Sequence, residues 1–150
     1  QVNVCERGRD DDLLPTSLFR MVRELEPPAD DEGFSAIERV PFVRAPVREH
    51  AGLIVSGEAA RYVTEWTRPA LVVGWQLGAT PTLPEGVELA VCEHEAGPPR
   101  CWCRPPLPGL AVAWAKRHGV ELTRCRFIGS TPTAEKLARA LGATYLPLGA

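Results

Sequence analysis

Cys92, His94, Cys101 and Cys103 fall within twelve residues, as two C-x-[CH] knuckles on either side of a loop containing Gly97-Pro98-Pro99. Thiolate and imidazole are the ligands zinc favours, and four of them close a tetrahedron that leaves no position for a reactive water. The quartet therefore predicts a structural zinc site. Disulfide pairing is the competing explanation, but Cys101 and Cys103 are too close to pair comfortably, and it gives His94 no part. Trp102, between two expected ligands, is placed to screen the metal from water. Cys5 and Cys125 stand apart, and Cys125, ahead of an apolar run, reads as a small buried hydrophobe.

Other chemistry is sparse. All five aspartates (Asp10, Asp11, Asp12, Asp30 and Asp31) precede residue 32, and the acidic runs read as solvated loops. Ser130-Thr131-Pro132-Thr133 opens a helical pattern. It can cap the first turn through Ser130 or Thr131 or cradle an anion on free N–H groups, with capping favoured by residue preference. His50 and His118 have no partner in the sequence, and Lys116 and Lys136 read as outward-facing. Trp66, Trp75 and Trp114 read as core residues, and Arg104 either pairs with a carboxylate or caps a loop. The net charge of -2 argues against direct nucleic-acid binding. An odd cysteine count without a paired framework, no apolar run near 20 residues and no basic-then-apolar leader lead to the expectation of a soluble, cytoplasmic chain. Its start at Gln1 is read as arbitrary, as in a fragment.

The elements that must position these groups are legible from periodicity. A short amphipathic helix with Leu14, Leu18, Met21, Val22 and Leu25 on one face follows Pro15, started by Thr16 or Ser17, and ends before Pro27-Pro28. Residues Phe34 to Val43 alternate as a strand, and the polar stretch Ala45 to Gly52 marks a boundary. Glu58 to Thr67 reads as a helix with Ala59, Tyr62, Val63 and Trp66 on one face. Ala70 to Gly74, Val87 to Val91 and Arg126 to Gly129 read as buried strands. Leu110 to His118 is a helix with Leu110, Ala113 and Trp114 inward, stopped by Gly119. Pro132 to Leu141 is another, stopped by Gly142, and Thr144 to Leu146 is a last strand. Alternating strands and helices predict an α/β fold, a three-layer, mainly parallel, Rossmann-like sheet.

From residue 53 to about 148 the chain resembles the haloacid dehalogenase-like phosphatases, in the histidinol phosphate and heptose bisphosphate phosphatase branch. The zinc knuckles carry this, with Cys103-Arg104-Pro105-Pro106-Leu107-Pro108-Gly109-Leu110 similar to C-R-K-P-x-P-G-[LM]. Phe127-Ile128-Gly129-Ser130, then Ala134, Leu137, Ala138, Ala140 and Gly142, is similar to that branch's terminal segment. Val55 to Ala59 and Leu71 to Gln76 are similar to the helix and second strand before the zinc loop. The resemblance implies a D-x-D pair, a strand-end hydroxyl, a phosphate-binding lysine and late magnesium-binding aspartates. No D-x-D lies between Phe42 and Leu53. Gly74 or Trp75 stands for the hydroxyl, Pro105 for the lysine, and Ser130 with Thr133 or Ala134 for the aspartates. Aspartyl-phosphate chemistry needs a carboxylate nucleophile, and magnesium needs hard oxygen ligands.

Gln1-Val2-Asn3, Arg20 to Glu26, Glu32 to Ile37 and Val40-Pro41-Phe42 resemble the end of the P-loop domain of polynucleotide kinases, without a Walker A loop. Residues 1–45 are accordingly expected to be the tail of a kinase-like domain, and 46–150 a degenerate phosphatase-like module. No catalytic or cofactor-binding residue is assigned, and no phosphatase activity is expected of this chain alone. The expected partner is a parent kinase domain or another protein. The alternative is a working part of a hydrolase or end-processing kinase-phosphatase whose missing motifs lie elsewhere.

Overall fold

The computed structural model of the chain describes residues 1–8, 13–41, 43, 45–98 and 101–148. The run Asp10 to Asp12 and Phe42 of the expected strand lie outside the described residues. In chain order the elements are α1 (Val2–Glu6), α2 (Pro15–Glu24), β1 (Leu53–Ser56), β2 (Ala70–Trp75), β3 (Val87–Cys92), α3 (Gly109–His118), β4 (Arg126–Gly129), α4 (Pro132–Leu141) and β5 (Thr144–Pro147). Short 3-10 turns lie between them.

The five strands form one parallel sheet in the order β3-β2-β1-β4-β5. Strands β1 and β2 are central and covered on both faces, which is why Leu53 to Val55 and Ala70 to Val73 are continuous apolar runs rather than alternating ones. One face carries the larger core. There Ile54, Leu71, Val73 and Phe127 meet Val2 and Cys5 of α1, Val112, Trp114 and Ala115 of α3, and Leu137, Ala138 and Leu141 of α4. On the other face Leu53, Val55 and Val72 are covered by Ala59, Ala60, Val63, Trp66 and Leu83. The sheet is thus α/β and parallel as expected, but helices cover only one side.

The helix ends follow the sequence signals. Thr131 caps α4 by accepting from the Ala134 amide at 3.2 Å, Pro132 occupies the first turn, and Gly142 closes it at φ 72°. Gly119 ends α3 in the same left-handed conformation, at φ 64°. Such an ending favours glycine because a Cβ is strained there.

Several expectations are corrected. The stretch 34–41 forms no strand. It pairs with neither edge strand of the sheet, and Phe34, Val40 and Val43 are exposed. Glu58 to Thr67 is not a helix but one 3-10 turn, Ala60–Tyr62, followed by coil. Its β-branched Val63, Thr64 and Thr67 disfavour helix, and the coil still delivers Val63 and Trp66 to the second face. Val55 to Ala59 is not helical either, because it spans the end of the central strand. Helix α2 starts one residue before Thr16, with Pro15 in its first turn and no side-chain cap. In α3 it is Ala111, Val112, Trp114 and Ala115 that point inward, while Ala113 is exposed.

The proposed boundary 45–52 is tied down from both sides. The amides of Val47 and Arg48 donate to Glu121 Oε2 at 2.8 and 3.2 Å, and the Arg48 guanidinium grips the Glu6 carboxylate at 2.8 and 2.9 Å. Glu121 is fully buried and also accepts from the amide and hydroxyl of Thr123. Burial alone raises its pKa. The donors from Val47, Thr123 and Arg48 outweigh that, and the carboxyl sits below its ordinary value.

Candidate metal centre

Strand β3 delivers Cys92 to the sheet's C-terminal edge, where it is buried and registers with Trp75 of β2. The chain then turns through His94 and Glu95 and returns at Cys101 and Cys103. Cys92 Sγ lies 3.3 Å from Cys103 Sγ and 3.7 Å from Cys101 Sγ. His94 Nδ1 lies 3.5 Å from Cys92 Sγ and 3.3 Å from Cys103 Sγ. All four ligand atoms fall within 4.8 Å of one another. A zinc tetrahedron with ordinary Zn–S and Zn–N bonds has edges of about 3.8 Å between sulfurs and about 3.5 Å from sulfur to nitrogen. The donor set and spacing fit such an ion, for which His94 would offer Nδ1. Without a cation the thiols crowd one another: burial, then Cys101 and Cys92, push the Cys103 thiol well up. A bound dication reverses that preference, since coordinated thiols are deprotonated.

The loop is held by side chains that the sequence singled out for other reasons. Trp75 is partly exposed, not core, and its Nε1 donates to the His94 carbonyl at 2.8 Å, joined by Gln76 Nε2 at 3.3 Å. Arg104 caps the loop rather than pairing with a carboxylate. Its Nη1 donates to the Gly97 carbonyl at 2.7 Å, its Nη2 to that of Glu95, and its guanidinium stacks 4.6 Å from the Trp75 ring centre. Trp102 is buried, its Nε1 donating to the Leu13 carbonyl at 2.7 Å. Gly109 seats that turn: a Cβ there would stand 2.6 Å from the Trp102 carbonyl oxygen.

Beside the knuckles, a cavity of about 250 Å³ opens over the C-terminal ends of β1, β2 and β4. The connection from β1 runs to β2 on one side, and the one from β3 returns past it to β4 on the other, a reversal at which α/β sheets form crevices. Gly74, Trp75, Pro105, Thr133 and Ala134 all line it, whereas Ser130 is exposed and is not part of the lining. Two lining residues escaped sequence reasoning. Ser56 ends β1 buried, and its Oγ has no hydrogen-bond partner. Glu58 Oε1 accepts from the Thr131 hydroxyl at 2.8 Å, so the protein's own carboxylate serves the N-terminus of α4. That argues against the anion cradle. Leu77 packs onto the strand ends, and a Cβ on Gly57 or Gly74 would approach its Cδ2 to 2.6 or 2.8 Å. The apolar run Leu53 to Val55, closed by Ser56 and bounded by Gly52 and Gly57, is the signal that would have revealed this strand end.

The remaining candidates are structural. His118 contacts the Glu88 carboxylate, which Arg117 also holds at 2.8 Å, and His50 is exposed while its backbone bridges Val120. Lys116 and Lys136 are exposed, as expected of outward-facing residues, and Lys116 Nζ donates to the Cys5 carbonyl at 3.2 Å. Cys125 is buried, and burial pushes its thiol up to about 11. No helix among the described residues is long and apolar enough to cross a membrane. Comparison with protein-family models, curated proteins and solved structures finds no match.

Proposed function

We propose that the chain is a catalytically degenerate, haloacid dehalogenase-like phosphatase module clasped by a structural zinc ion. Its role is that of a scaffold or interaction element in a polynucleotide kinase/phosphatase-like protein of the cytoplasm. In this reading residues 1–45 are the tail of a kinase-like domain, 46–150 form the module, and the partner is the parent kinase domain or another protein. One observation carries it. Gly74, Trp75, Pro105, Thr133 and Ala134, five of the six positions that the resemblance equates with catalytic groups, line one cavity while Ser130 stands outside it, and none of them offers a carboxylate or an amine. Zinc would be held by Cys92, His94, Cys101 and Cys103, and would supply a fixed tetrahedral crosslink. The chain's own groups then orient the loop: Trp75 and Gln76 through the His94 carbonyl, Arg104 through Gly97 and Glu95. Leu77 fills space at the strand ends where a substrate would otherwise approach.

The test is magnesium-dependent hydrolysis of a generic aryl phosphate by the purified, zinc-loaded chain. No turnover above buffer is expected, and turnover lost in the Glu58→Gln variant would reject the reading. The second reading, a working part of a hydrolase or end-processing enzyme, is favoured by Glu58 and the unpartnered Ser56 hydroxyl at the same strand end. A Walker A motif in the sequence upstream of Gln1 would support the kinase half of either reading.

A further inference from the structure

We propose that Cys92 and Cys103 form a site of oxidative modification, at which a peroxide-class oxidant converts the metal clasp into a disulfide and expels the ion. The inference rests on the zinc reading above. Three features carry it. Cys92 and Cys103 have the shorter of the two sulfur separations at Cys92, 3.3 Å against 3.7 Å to Cys101. Both are fixed in place, Cys92 as the last residue of β3 and Cys103 beside the buried Trp102, whose carbonyl accepts from the Gly109 amide at 2.8 Å. The edge from Cys103 to His94 is exposed, so an oxidant reaches Cys103 before the buried Cys92.

The chemistry balances with one equivalent of hydrogen peroxide. The Cys103 thiolate attacks a peroxide oxygen: an S–O bond forms, the O–O bond breaks, and the departing hydroxide takes a proton to become water. The Cys92 thiolate then attacks the Cys103 sulfur: the S–S bond forms, the S–O bond breaks, and a second hydroxide leaves and is protonated to water. Two electrons pass from the thiolate pair to the peroxide. His94 and Cys101 alone are too few to hold zinc, which normally takes four ligands in a closed site. The His94 carbonyl is also the anchor for Trp75 and Gln76, so expulsion of the ion loosens the wall of the neighbouring cavity.

The experiment treats the zinc-loaded chain with stoichiometric hydrogen peroxide beside a chromogenic zinc chelator, then maps its peptides by mass. Zinc content should fall from about one per chain to less than about a tenth, and the chain should become about 2 Da lighter than its fully reduced form. A peptide pair crosslinked through Cys92 and Cys103 is expected, and dithiothreitol with added zinc should restore the starting state. A chain with Cys5→Ser and Cys125→Ser should behave identically, because neither residue belongs to the cluster. Zinc retained under peroxide, crosslinking elsewhere, or oxidation of Cys103 to sulfinic acid without a crosslink would overturn the proposal and leave the metal reading standing. A chain with no zinc before oxidation would reject both.

Discussion

Glu121 shows how one residue outside the metal centre governs stability. Its buried carboxylate collects the amides of Val47, Arg48 and Thr123, so it pins the segment before β1 to the sheet. Its pKa is lowered in the fold, so its contribution is fully present above the ordinary glutamate value, near 4.3, and fades as pH falls through the lower folded value. Urea unfolding followed from about pH 6 to about pH 3 should show that loss. Glu121→Ala should remove roughly 1–3 kcal/mol at neutral pH, because it strands buried donors, and should flatten the profile. An unchanged slope would contradict this role. At the metal, Cys103→Ser should weaken zinc binding at least about tenfold in a competition titration, whereas Cys125→Ser should leave it unchanged. The quartet was legible because spacing and ligand type are local properties. Ser56 and Glu58 were not, since their significance comes from lying at the end of a central strand, and strand order is a tertiary fact.

At the scale of elements, strong local signals decide the outcome where they agree with the core. Pro132, Thr131 and Gly142 bracket α4, and Leu137, Ala138 and Leu141 supply its buried face. Thr131→Ala should cost about 1 kcal/mol from the lost cap, measured by denaturation. It also releases Glu58, so Thr131→Ser, which keeps the hydroxyl, should restore most of that loss. Trp114→Ala should cost about 3–5 kcal/mol, because its ring is fully buried against the sheet. Where signals lacked tertiary support they misled. Phe34 to Val43 alternates like a strand, yet 34–41 joins neither edge strand, β3 or β5, and Phe34 and Val40 stay exposed. Glu58 to Thr67 spaces its apolar residues like a helix, yet a 3-10 turn and coil satisfy the same burial. Periodicity reports which residues seek cover, not the backbone that takes them there.

For the whole molecule, the parallel sheet and the clasp depend on each other through few contacts. The sheet supplies Cys92 and Trp75, α2 packs Phe19 against Trp102 with ring centres 6.5 Å apart, and the described residues of the loop between the knuckles form no helix or strand. In the proposed reading such a loop would gain its order from the ion, so that metal binding and local folding share one free energy. The direct test is thermal unfolding of the purified chain with and without a strong chelator, with zinc quantified by elemental analysis of the same sample. About one zinc per chain and a melting temperature lowered on the order of 10 °C by chelation are predicted. A chain that carries no metal and melts identically in both conditions would contradict the account.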